Sequence, residues 1–190
     1  MAVQPLGGGF CEPSTDAAHA FRRILEAMAR PGTFHTLQGA VPPAPLSSAA
    51  GAVLLTLCDA DTPLHLAGSC DCEDVRQWVA FHTGAPISPA AECTFAVGPW
   101  EALAPTSQYR IGTAAYPDRS ATLIVELPHL VAEDTRLRGP GIRTTAELSL
   151  PDVAAFQDNH ALFPRGLDFF FTAETRVAAL PRSTEVLPCT

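Results

Sequence analysis

Apolar residues first recur at helical spacing, with Ala17, Phe21, Ile24, Leu25 and Met28 on one face of a 3.6-residue repeat. Ser14, Thr15 and Asp16 precede them as N-cap oxygens and Pro31-Gly32 follows as a stop, so a first helix is predicted between these signals. On its other face Arg22 stands four residues before Glu26, and Glu26 four before Arg30, the spacing of solvated ion pairs. Thr33 to Leu37 reads as a short strand, and Pro42-Pro43-Ala44-Pro45 as an extended connector too short to separate domains.

A second helix is predicted from Ser47 or Ser48, and because Ala49 to Leu57 is apolar nearly all round it should be buried. Asp59, Asp61 and Pro63 turn the chain into a strand at Leu64-His65-Leu66. A third helix, Glu73 to His82, is capped near Asp71 or Cys72, carries Val75, Trp78, Val79 and Phe81 on its apolar side, and ends at Gly84 and Pro86. Strands follow at Thr94 to Val97, Thr122 to Leu127 and Thr135 to Arg138, then a helix from Pro151 or Asp152 to His160. Phe169-Phe170-Phe171 and Val177-Ala178-Ala179 read as a closing hairpin. The alternation predicts an α/β fold with three layers, a mixed sheet flanked by helices, in one domain over residues 1–190 with a flexible N-terminal arm at about 1–13.

Composition sharpens the picture. A hydrophobic share of 47% against 17% charged residues predicts a well-filled core and an additional buried interface, yet no apolar run is long enough to span a bilayer, so no membrane association is expected. The opening MAVQPLGGGF has neither a basic n-region nor an apolar h-region, which makes the cytoplasm the expected compartment. Net charge is −8 and the basic residues are scattered, arguing against a nucleic-acid partner. All 12 basic residues are arginine. The absence of lysine excludes an internal Schiff base with pyridoxal phosphate, a P-loop lysine and a lysine general base, so no cofactor is expected.

Anion binding is then left to arginine, backbone amides and helix N-termini. In Leu137-Arg138-Gly139-Pro140-Gly141-Ile142 the guanidinium of Arg138 and the amides around Gly139 and Gly141 could converge on a phosphate or phosphonate oxygen, although a plain tight turn is the commoner use of such residues. Phe163-Pro164-Arg165-Gly166-Leu167-Asp168 and Pro181-Arg182-Ser183-Thr184 repeat the pattern and add Arg165, Asp168 and Arg182 as candidates. Several such turns meeting at one sheet edge would build an anion site or a subunit contact. His82, at the end of the third helix, is a further candidate beside its ordinary capping role. The 6 cysteines read as reduced thiols, and Cys70-Asp71-Cys72 lacks the second paired element of a zinc site, so no metal is expected. No nucleophile elbow, H-E-x-x-H helix, phosphate-binding glycine motif or kinase signature is present, and no catalytic residue is assigned.

Three ordered blocks, Phe21-Arg22-Arg23-Ile24-Leu25-Glu26-Ala27-Met28 with Pro31-Gly32, Leu54-Leu55-Thr56-Leu57-Cys58-Asp59 with Asp61-Thr62-Pro63, and Phe81-His82-Thr83-Gly84-Ala85-Pro86, resemble the H subunit family of the bacterial carbon-phosphorus lyase system, PhnH. The resemblance continues through Ala121-Thr122-Leu123-Ile124 and the three arginine-bearing turns, leaving unconstrained the arm before Asp16 and the stretch from Pro99 to Asp118. It implies a homodimer-forming fold similar to a degenerate large domain of the pyridoxal-phosphate-dependent transferases, without that cofactor. It also implies a place beside the G, I and J subunits in a core assembly. That assembly acts on phosphonates and ATP, replacing adenine to give a ribose phosphonate triphosphate before another subunit cleaves the carbon-phosphorus bond. The cleavage resembles iron-sulfur radical chemistry, and the cysteines here are not clustered as such a centre needs. The leading expectation is an accessory subunit of this transferase and lyase system, not catalytic alone. The alternative is a dimer that itself binds a phosphorylated ligand through its arginines, and a third reading is a sensor or carrier unrelated to phosphonates.

Overall fold

Pro13 occupies the first position of a helix, where its missing N–H leaves nothing unsatisfied, and α1 runs Pro13–Ala29 behind the cap residue Glu12. Ser14, Thr15 and Asp16 therefore lie inside the first turn, from which Asp16 reaches back so that its Oδ2 accepts the Glu12 N–H at 2.9 Å. The computed structural model describes residues 6–188, so Cys189 and the first five residues of the arm lie outside the described residues. α1 buries Ala20, Ile24 and Ala27. Phe21 and Leu25, expected on the apolar face, are instead 48% and 56% exposed. The buried stripe is rotated because two alanines let the backbone approach its neighbours more closely than Phe21 would allow. Glu26 pairs with Arg30 at 3.3 Å and with Arg23 at 3.7 Å, three residues away, rather than with Arg22.

Further α-helices among the described residues are α2 (Ser48–Leu57), α3 (Glu73–His82), α4 (Trp100–Leu103) and α5 (Val153–Ala161). Short-range chemistry starts two of them: Ser47 Oγ accepts the Ala50 N–H and Asp152 Oδ1 accepts the Ala155 N–H, each at 3.1 Å. The strands in chain order are β1 (His35–Thr36), β2 (Leu64–Leu66), β3 (Phe95–Pro99), β4 (Thr122–Glu126), β5 (Thr135–Arg138), β6 (Ala146–Glu147), β7 (Asp168–Ala173), β8 (Arg176–Leu180) and β9 (Glu185–Pro188).

A six-stranded mixed sheet has the order β1-β8-β7-β4-β3-β2. β2, β3, β4 and β7 are parallel, β8 returns antiparallel to β7 as the predicted hairpin, and β1 lies antiparallel on β8. Thr135–Arg138 forms a strand as expected, but in a separate three-stranded sheet, β6-β5-β9.

Strand alternation divides the core in two. Val97, Ile124, Phe170 and Val177 face one way, beneath α1, α2 and α3. Ala96, Leu123, Val125, Phe169 and Phe171 face the other way, toward α4, α5 and the small sheet, which contributes Leu137 and Val186. Phe156 of α5 centres this second layer, its ring 4.9 Å from Trp100, 4.8 Å from Phe169 and 5.6 Å from Phe171. The stretch from Pro99 to Asp118, which lies outside the resembling blocks, supplies Trp100, Leu103 and Tyr109 to the same core.

Candidate functional site

The arginine-bearing turns gather where the parallel strands begin. Asp168 opens β7 and Arg182 follows β8, so the hairpin sets them side by side. Asp168 Oδ1 accepts the Arg182 backbone N–H at 2.9 Å and its Nε–H at 3.1 Å, while Oδ2 accepts from Nη2. Arg182 Nη1 also donates to the Pro117 carbonyl at 2.6 Å, and Nη2 to Ser120 Oγ. Every guanidinium nitrogen is thus committed inside the fold, and the two side chains are only 13% and 24% exposed. The geometry suits a clasp that ties the β8–β9 turn to the loop before β4.

The neighbouring turns close around this clasp. Asn159 holds Leu167 at both backbone groups, accepting its N–H at 2.8 Å and donating to its carbonyl at 3.0 Å. A Cβ on Gly166 would lie 3.5 Å from the Arg182 Cβ, which places Arg165 one residue from the clasp, with its own side chain exposed. Gly139 packs on the same β8–β9 turn, where a Cβ would meet the Ser183 carbonyl at 3.1 Å. Gly141 has φ +80°, and a Cβ there would stand 1.9 Å from the Ala29 carbonyl at the end of α1. These glycines therefore serve close backbone approach, while Arg138 pairs in register with Glu185 and is exposed.

His82 lies apart, in the helical layer on the opposite face of the sheet. Its Nε2 stands 3.2 Å from the Gly7 carbonyl, which also accepts the Trp78 Nε1–H at 3.0 Å. Its ring lies 5.0 Å from that of Trp78. His82 thereby secures the backbone of the glycine-rich arm; of the other candidates only Asp168 and Arg182 bond to each other, Gly139 packs on the turn after Arg182, Gly141 packs on the end of α1, and Arg138 and Arg165 are exposed.

Sequence reasoning passed over Glu126, whose only signal was a lone carboxylate inside the apolar run Thr122 to Leu127. It ends β4 at the carboxyl edge of the parallel strands, the customary ligand edge of such sheets. Its Oε1 accepts the Ser47 N–H at 2.6 Å and its Oε2 the Thr172 hydroxyl at 2.9 Å. Burial raises its pKa, against the lowering effect of these hydrogen bonds. Burial likewise pushes the Cys58 and Cys70 thiols up to about 12 and Cys93 to about 11, which leaves them packed, protonated groups rather than nucleophiles.

Two adjoining grooves of about 640 and 560 Å³ run along α1, both lined by His19 and Arg23. No helix among the described residues is long and apolar enough to cross a membrane.

Comparison with known proteins finds matches that span nearly the whole chain. The family described as "Bacterial phosphonate metabolism protein (PhnH)" matches residues 8–187. A protein of Rhizobium meliloti (strain 1021), named alpha-D-ribose 1-methylphosphonate 5-triphosphate synthase subunit PhnH, is 42% identical over 194 residues, covering 96% of each chain. With the match running through both cores, the clasp and the glycine turns, the chain belongs to the PhnH family of bacterial phosphonate metabolism proteins.

Proposed function

We propose that the chain is an accessory subunit of the assembly that transfers the ribose triphosphate moiety of ATP to a phosphonate with loss of adenine, and that it is not catalytic alone. The end-to-end likeness to a chain named as a subunit of such a synthase carries this reading. The site supports it, because every guanidinium nitrogen of Arg182 is held by internal partners.

The finer parts of the reading are a homodimer in isolation, the G, I and J subunits of the carbon-phosphorus lyase core as partners, and a cytoplasmic location. An apolar composition with Phe21, Leu25, Phe81 and Phe163 left exposed is what a subunit with further surface to bury would have. The fold is read as a degenerate large domain of the pyridoxal-phosphate-dependent transferases that has given up the cofactor. The parallel strands with helices on both faces and the absence of lysine favour that descent.

A second reading keeps a phosphorylated ligand on this chain. Arg138 and Arg165 favour it, being exposed and without a carboxylate within 4 Å among the described residues. Co-expression with the G, I and J subunits, capture on one of them and mass determination of the eluate tests the first reading. Stoichiometric recovery is expected, and a chain that neither self-associates nor co-elutes would end it. Arg138→Ala tests the second: turnover of ATP or phosphonate should fall with assembly intact, and unchanged turnover removes it.

A further inference from the structure

The two edges of the large sheet are treated differently. At β2 the outer edge is closed, because Leu64 donates its N–H to the Pro86 carbonyl and accepts from the Ser88 N–H, both at 2.9 Å. At β1 the register pairs His35 with Val177 and Thr36 with Arg176, and Leu37 donates to the Thr175 carbonyl at 2.7 Å. Residues of an antiparallel ladder alternate in bonding direction, so His35 and Leu37 face β8 while Thr36 turns its N–H and C=O outward. Gln38 follows just past the end of the ladder, whose last bond is that of Leu37. Among the described residues neither backbone finds a hydrogen-bond partner, and both residues are exposed. Just beyond, Val41 donates to the Gly8 carbonyl at 2.8 Å, so the adjoining stretch is met by the chain's own arm.

Beside this open edge α1 raises a wall. The 640 Å³ groove has Thr36, Gln38 and Gly39 on one side and Asp16, His19 and Arg23 on the other, and the 560 Å³ groove continues it past Arg22 and Glu26. Asp16 is engaged by the Glu12 amide and Glu26 by Arg30 and Arg23. Arg22 has no carboxylate within 4 Å among the described residues. The trough therefore offers a cation in a protein of net charge −8.

We infer that the open edge of β1 and this trough receive an extended, acidic segment of another subunit as an added strand, an inference that rests on the assembly role proposed above. Backbone pairing at Thr36 and Gln38 supplies affinity, and a carboxylate reaching Arg22 sets register and partner choice. A second copy of the chain fits worse. Two-fold pairing through β1 would turn Arg22 and Arg23 of one chain toward the same arginines of the other.

The test is capture of the chain co-expressed with the G, I and J subunits. Thr36→Pro removes the outward N–H and leaves the bonds to β8, and Arg22→Glu inverts the wall. Each should lower the recovered partner about tenfold, with unfolding midpoints compared to identify misfolded protein. Hydrogen exchange on the wild-type chain gives a readout without substitution, since the amides of residues 36 and 38 should slow on assembly. Equal capture by both variants, or unchanged exchange, overturns the inference while the assembly role stands. Loss in Arg22→Glu alone reduces the contact to side chains and also overturns it, as does a change confined to the chain's own oligomeric mass. A wild-type chain that captures no subunit overturns the assembly reading and this one together.

Discussion

Arg182 and Asp168 grip each other across the open end of the β7–β8 hairpin, the carboxylate taking the backbone N–H, Nε–H and Nη2–H of the arginine. Cutting Arg182 to alanine strands Asp168 and releases Pro117 and Ser120 from the same guanidinium. For side chains 13% and 24% exposed the loss should fall short of that for a fully buried pair, at about 2–3 kcal/mol. Urea denaturation of Arg182→Ala, Asp168→Asn and the double variant measures it, and two near-additive single effects would show that the clasp is not a coupled unit.

Gly141 is held against the end of α1 by its missing side chain. At φ +80°, with a Cβ falling 1.9 Å from the Ala29 carbonyl, alanine would have to push the turn and the helix apart. Gly141→Ala is expected to destabilise by more than about 1 kcal/mol, with each kcal/mol lowering Tm by about 2–4 °C in a chain of this size. A melting curve matching the wild type would mean that the turn moves away freely.

Phe156 contacts Trp100, Phe169 and Phe171 and is 1% exposed. Phe156→Ala should cost about 3–5 kcal/mol in chemical denaturation. It should also shift Trp100 emission to the red as solvent reaches that ring. A loss below about 1 kcal/mol would indicate that α5 collapses into the gap.

What was legible in the sequence was local. Ser47 and Asp152 cap the helices that follow them within three residues, and Phe169-Phe170-Phe171 obeys the two-residue alternation of a strand buried on both faces. Relations between distant segments were not legible. The roles of Arg182 and Asp168 could be nominated from their turns, but their mutual commitment depends on a hairpin that brings together residues 14 apart. α1 showed an apolar stripe through Phe21 and Leu25, yet which stripe is buried depends on the surface beneath it. β5 was visible as a strand while its sheet was not, because its partner β9 lies near the far end of the chain. α4 spans 4 residues, too few for any periodicity to announce it.

Glu126 makes stability depend on pH in a direction opposite to that of an ordinary ion-paired carboxylate. Burial holds its folded pKa above the unfolded value, opposed by the bonds from Ser47 and Thr172. The folded state therefore binds the proton more tightly than the unfolded state does. The stability this group contributes is complete below the ordinary carboxylate range and is lost as pH rises through the raised folded value. Glutamine keeps an oxygen for the Ser47 N–H, its amide can donate to the Thr172 hydroxyl, and it carries no charge to desolvate. Glu126→Gln should accordingly match the wild type in acid and become the more stable of the two toward neutral pH. Urea midpoints measured from about pH 4 to 8, on either side of the ordinary carboxylate value, would show the curves diverging upward. A constant deficit for Glu126→Gln at every pH would mean instead that the ionised carboxylate is the better partner for the start of α2.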